Sequence, residues 1–165
     1  MCTLRAATTA SLMSLALVSP AVACTPELYS RLEQSLPSDP DETIETLDIQ
    51  STEGGEWQVW HKQGRARLVA RIDYGEMGRQ ETQLVVQSPA AYGVTQTRYV
   101  YSVPIYLEGS ALVRKETDFY LFCDGALVLP PEDLGAFPEY EAAAEAARSV
   151  FDAPEIAAFL PDLKR

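Results

Sequence analysis

"EWQVWHKQGRARLVARIDY", residues 56–74, alternates with a period of two on both sides of Gln63-Gly64, and this alternation decides the fold. A short polar-glycine pair between two alternating runs is a hairpin signal. A two-residue turn there sets Val59 opposite Leu68 and Trp60 opposite Arg67. That register predicts a core face of Trp57, Val59, His61, Leu68, Ala70, Ile72 and Tyr74. Gln58, Trp60, Lys62, Arg67, Val69 and Arg71 then form a wetter face.

The pattern continues outward in both directions. "YGEMGRQ" (74–80) turns into "ETQLVVQ" (81–87), and a three-residue loop centred near Met77 pairs Leu84 with Ala70 and Thr82 with Ile72. It also sets Arg71 diagonally from Glu81 and beside Asp73. After a loop at "SPAAYGV" (88–94), "TQTRYVYSVPIY" (95–106) alternates Thr97, Tyr99, Tyr101, Val103 and Ile105 onto one side, and Pro104 marks this end of the strand as an edge or a departure from the sheet. A polar interval (107–116) precedes "TDFYLFC" (117–123), where Asp124-Gly125 turns into "ALVL". "TIETLDIQS" (43–51), upstream, reads as a short strand before the Gly54-Gly55 break, and "PSDPDE" (37–42) as the link before it.

Helical signals flank the strands. Thr25-Pro26 reads as a cap and first helical position, followed by Leu28, Leu32 and Leu36 at four-residue spacing. "EYEAAAEAARSVF" (139–151) carries Tyr140, Ala144, Ala147 and Phe151 at helical spacing. Asp152 with Glu155 forms a capping box for a short last helix, "PEIAAFL" (154–160). The expectation is an α+β domain: an antiparallel meander of five to six strands, with an N-terminal helix and C-terminal helices packed on one face.

The first residues carry a different signal. Arg5 precedes the apolar run "AATTASLMSLALVS" (6–19), and Ala21 and Ala23 stand where a leader peptidase wants small residues. Residues 1–23 therefore read as a secretory signal peptide, leaving 24–165 as one domain. The run is short, and broken by Thr8, Thr9, Ser11 and Ser14, which is poor for a membrane span.

Cys24 then becomes the first residue, and two readings of it stand. Ala21-Val22-Ala23-Cys24 resembles a lipobox with alanine in place of the usual leucine, which would anchor the chain to a membrane by lipid. Alternatively Cys24 meets Cys123, the other cysteine left after cleavage, in an oxidising compartment. The second reading makes the protein periplasmic or extracellular, with membrane attachment only if Cys24 is lipidated.

Without Arg5 the chain holds 12 basic and 24 acidic residues, a net charge of −12. Such a balance excludes nucleic acid as a natural partner. Between Glu56 and Asp118 eight bases face seven acids, so the acid excess lies in the flanks.

Candidate chemistry is sparse. His61 is the single histidine, and a hydrolase built on it would need a nucleophile and an orienting carboxylate, neither of which its spacing supplies. One histidine without neighbouring ligands is no zinc site, and Asp39, Asp41 and Glu42 lack the glycine and distant glutamate of a calcium loop. No cofactor or metal motif is present in the sequence. Trp60 with Arg67 and Arg71 across the hairpin, joined by Tyr99 and Tyr101, forms the candidate binding set: cation–π pairs with spare guanidinium donors on an aromatic sheet face.

Residues 61–86, "RYVYSVPIY" (98–106) and "DFYLFCDGALV" (118–128) together resemble a recurring class of small exported bacterial proteins, periplasmic or lipid-anchored, of uncharacterised function. The resemblance implies an antiparallel meander and carries no functional residue across. The expected function is a non-enzymatic envelope protein binding a protein or small ligand through its sheet face. Alternatives are a carrier of an apolar molecule between sheet and helices, and a hydrolase using His61.

Overall fold

The computed structural model describes residues 21–46, 53–129 and 137–164, with side chains described from Glu27 onward except that of Phe137. The chain order is α1 (Ala21–Leu32), β1 (Glu42–Glu45), β2 (Gly55–Lys62), β3 (Arg65–Gly75), β4 (Gly78–Ser88), β5 (Ala91–Tyr101), β6 (Leu112–Cys123), β7 (Ala126–Val128) and α2 (Phe137–Ser149). A 3₁₀ turn, Val150–Asp152, follows α2. All strands lie in one antiparallel sheet in sequence order, β1 to β7.

The sheet thus has seven strands, not five or six. Its edges, of four and three residues, fall in the segments read as strand at 43–51 and in "ALVL", so the count differs although each strand was expected. The "SPAAYGV" segment is also mostly strand. Pro89-Ala90 makes the turn, while Tyr92 and Val94 are completely buried in β5.

Register corrects the expected faces. Gln63-Gly64 does form the two-residue turn, with positive φ at both positions and Lys62 opposite Arg65. A bulge then leaves Arg67 without a partner, so that Val59 pairs with Val69, Trp60 with Leu68 and Trp57 with Arg71. One extra residue exchanges the faces of everything beyond it. The next hairpin closes through two residues rather than three: Gly75 pairs with Gly78, and Ala70 with Gln83.

With these registers, the first face carries Trp57, Val59, Val69, Leu84, Val86, Val94, Tyr92, Tyr120 and Phe122. Ala144 and Ala147 of α2, with Phe151 and Ile156, pack on them as the main core. Small residues on α2 let the helix approach the sheet, as the alanine stripe requires. The second face presents Leu68, Val85, Gly93 and Leu121, and on these lie Leu28 and Leu32 of α1. The helices therefore cover opposite faces, not one. Burial on both sides explains the unbroken buried runs Glu81–Val86 and Tyr120–Cys123, which obscure the alternation in the sequence.

Other helical boundaries shift as well. α1 already includes Ala21, upstream of Thr25. The segment after Pro154 is a series of turns with Ile156 N–H to Ala153 O and Phe159 N–H to Ile156 O, not the expected helix. Pro154 and Pro161 bracket too few residues for a stable α-helix, and i→i+3 bonds suffice to bury Ile156.

Two close contacts fix the geometry near the cavity described below. Gly93 receives the tip of Leu32, since a Cβ there would stand 2.5 Å from Leu32 Cδ1. At Gly78 a Cβ would meet the backbone oxygen of Tyr99 at 2.1 Å, and backbone cannot rotate away. Gly78→Ala is expected to cost about 1–3 kcal/mol, read as a lowered urea midpoint, by forcing β4 and β5 apart.

Tyr140 of α2 donates its hydroxyl to Phe119 O at 2.7 Å, closing the gap between α2 and β6. Burial, with Tyr29, Tyr120 and Asp118 nearby, pushes its phenol up to about 12 from 10.0. A group with a raised folded pKa contributes stability that is complete below the unfolded value and is lost as pH rises towards the folded one. Stability should therefore fall between pH 10.0 and about 12, and Tyr140→Phe should flatten that fall in alkaline melting curves.

Candidate functional site

The second sheet face changes character along its strands, in cross-strand rows fixed by register. Under α1 the row Leu68–Val85–Gly93–Leu121 is apolar. Beyond the end of α1 come Ala70–Gln83–Thr95–Phe119, then Ile72–Glu81–Thr97–Thr117, and then Tyr74–Arg79–Tyr99–Lys115. The helix covers the first row and stops. The polar rows are left as the floor of a cavity of about 430 Å³, walled by residues 32–36.

Inside this cavity the polar groups are built into a network. Thr97 and Thr117 share a hydroxyl hydrogen bond of 3.1 Å. Gln83 Nε2 donates to Glu81 Oε1, and Arg79 Nη2 stands 3.8 Å from Glu81 Oε2. Glu81 is almost wholly buried, which an ionised carboxylate tolerates only with such partners. The Arg79 guanidinium lies 4.5 Å from the Tyr99 ring centroid and the Lys115 ammonium 5.5 Å from it. Thr95, 1% exposed, also lines the cavity, and its Oγ1 has no hydrogen-bond partner among the described residues. Nor has the buried Nε of Arg79.

The candidate binding set does not form one surface. Trp60 is buried opposite Leu68. Arg67, displaced by the bulge, turns its Nη1 to the carbonyls of Val86 and Gln87. Arg71 lies on the other face, 5.5 Å over Trp57, with its Nε 2.8 Å from Asp73 Oδ1. Glu81 pairs with Ile72 and so lies across the sheet from Arg71. Tyr101 is half-buried past a further bulge between Val100 and Tyr101. Of the five, Tyr99 alone lines the cavity.

Arg79, Glu81, Thr95 and Lys115 escaped the sequence reading. A correct register at Met77 would have aligned Arg79 with Tyr74, and a continuous β5 would have put Thr95 beside Gln83 and Tyr99 beside Arg79. The missed signal was thus the polar alternation Arg79-x-Glu81-x-Gln83 beside Thr95-x-Thr97-x-Tyr99.

His61 does find a carboxylate. Its Nδ1 lies 3.5 Å from Asp41 Oδ2, which also accepts the His61 backbone N–H. The ring packs 6.0 Å from Phe159. Asp41 thereby ties β2 to the link before β1, a structural task that requires no proton transfer. Among the described residues no group of three or more His, Cys, Asp or Glu could hold a metal ion. Cys123 is buried on the α1 side of the sheet, while the side chain of Cys24 lies outside the described residues.

Together these features define a two-face-covered antiparallel meander with a built polar cavity at the open end of one face. Comparison with family models, curated proteins and solved structures found no match for the chain.

Proposed function

We propose that this is an exported, non-enzymatic binding protein that holds a small polar ligand in the cavity beyond α1. The observation that carries this reading is the fully buried Thr95 hydroxyl, without a hydrogen-bond partner among the described residues, on the floor of a cavity already lined by Arg79, Glu81 and Lys115. A buried hydroxyl without a partner costs free energy that a ligand hydrogen bond recovers. The volume suits a small molecule.

Export rests on the leader pattern of residues 1–23 and places the protein in the periplasm or outside the cell. Among the described residues no helix is long and apolar enough to cross a membrane. The bridge between Cys24 and Cys123 belongs to the same reading. Its support is that Cys123 shares the α1 face with Leu121, and that Cys24 stands four residues before Leu28 on the docked helix.

The carrier alternative finds less support, because Trp57, Tyr92, Phe122, Phe151 and Ile156 fill the space between sheet and α2. Melting the mature protein against a panel of sugars, hydroxy acids, amino acids and fatty acids separates the readings. A polar ligand at one hundred times its Kd should add about 2.7 kcal/mol of stability. A rise in Tm with fatty acids alone would replace the polar-cavity reading with the carrier.

A further inference from the structure

The charge inside the cavity narrows the ligand further, on the premise that the cavity is a binding site. The protein as a whole carries a net charge of −11. Yet at the Tyr99 end of the cavity two cations, Arg79 and Lys115, meet the carboxylate of Glu81, while the second carboxylate of the lining, Glu33, stands on the wall formed by residues 32–36. Both cationic centres are held within 5.5 Å of one aromatic centroid, that of Tyr99. Drawing two like charges towards one ring is unfavourable unless something anionic balances them, and Glu81 balances one.

We infer that the ligand is a small hydroxylated carboxylate, its carboxylate set between Arg79 and Lys115 and its hydroxyl groups reaching Thr95 and Glu81. Tyr99 holds the two cations in place before binding, which lowers the ordering cost of an anion site. Arg79 also keeps a buried Nε–H without a partner among the described residues, a further donor for an anion. The deeper end has the opposite demand. Glu81 accepts hydrogen bonds and repels a second carboxylate, so that end of the ligand must supply donors. The Thr95 hydroxyl, next to Gln83 in the same row, can both accept and donate. A plain fatty acid satisfies only the first demand and a neutral polyol only the second.

D-gluconate and D-glucitol differ at the terminal carbon, carboxylate against hydroxymethyl, and so isolate the charge. Isothermal titration of the mature, full-length chain should give gluconate at least tenfold higher affinity than glucitol. Lys115 is exposed, so Lys115→Met leaves the fold intact; it should cost gluconate about tenfold while leaving glucitol unchanged. Thr95→Val should weaken both ligands alike. Equal affinity for the two ligands would overturn the inference and leave the polar-cavity reading standing. Binding of neither overturns the inference as well, and the polar-cavity reading is then decided by the thermal panel. Preference for gluconate that survives Lys115→Met would also overturn it, by placing the anion elsewhere.

Discussion

Trp57→Ala should lower the stability of the mature domain by about 3–5 kcal/mol, the cost of emptying a large aromatic from a closed core. Trp57 is fully buried, pairs with Ile44 of β1 and Arg71 of β3, and meets Phe151 at 5.8 Å in a tilted arrangement. It therefore joins the short edge strand, the centre of the sheet and the segment after α2 in one contact set. Its indole Nε1 makes no hydrogen bond among the described residues, so Trp57→Phe loses volume and no polar partner. That variant should cost clearly less than alanine. Domains of this size hold roughly 5–15 kcal/mol in all, so the alanine variant should remove a large share of it and lower the urea midpoint in proportion. A loss below about 1 kcal/mol would mean that Trp57 is not in the core.

The second large effect concerns the proposed bridge. Tying residue 24 to residue 123 closes a loop of about 100 residues, for which chain entropy gives on the order of 4–5 kcal/mol. Reduction, or Cys123→Ser, is expected to lower stability by that order and to loosen α1 first, because α1 otherwise rests mainly on Leu28 and Leu32. Intact mass of the protein from its native envelope tests the premise directly. A chain starting at Cys24 that takes up two alkyl groups only after reduction supports the bridge. A mass increase of the diacylglycerol type would refute it and move the protein to a membrane surface.

Much of the sheet was legible in the sequence, and the parts that were not share a cause. Gln63-Gly64 and Asp124-Gly125 marked their turns because residues with positive φ are chemically distinctive. The bulge at Arg67 has no such mark, since arginine fits a bulge as well as a strand, and one unpaired residue moved Val69 and Arg71 to the other face. Tyr92-Gly93 looked like loop because a glycine inside a strand is uncommon. Its purpose is tertiary: Leu32 occupies the space a side chain would fill. The cavity was illegible for the same reason. Its floor is a product of register across β3 to β6, while the sequence shows Arg79, Glu81, Thr95 and Lys115 only as ordinary polar strand residues.

Amide chemical-shift mapping of the isotope-labelled mature protein, titrated with D-gluconate, tests the ligand site most directly. The proposal predicts saturable shifts concentrated at Arg79, Glu81, Thr95, Thr97, Tyr99 and Lys115, with the α2 face around Trp57 and Phe122 unmoved. Shifts centred on the α2 face, or none within the cavity, would contradict it.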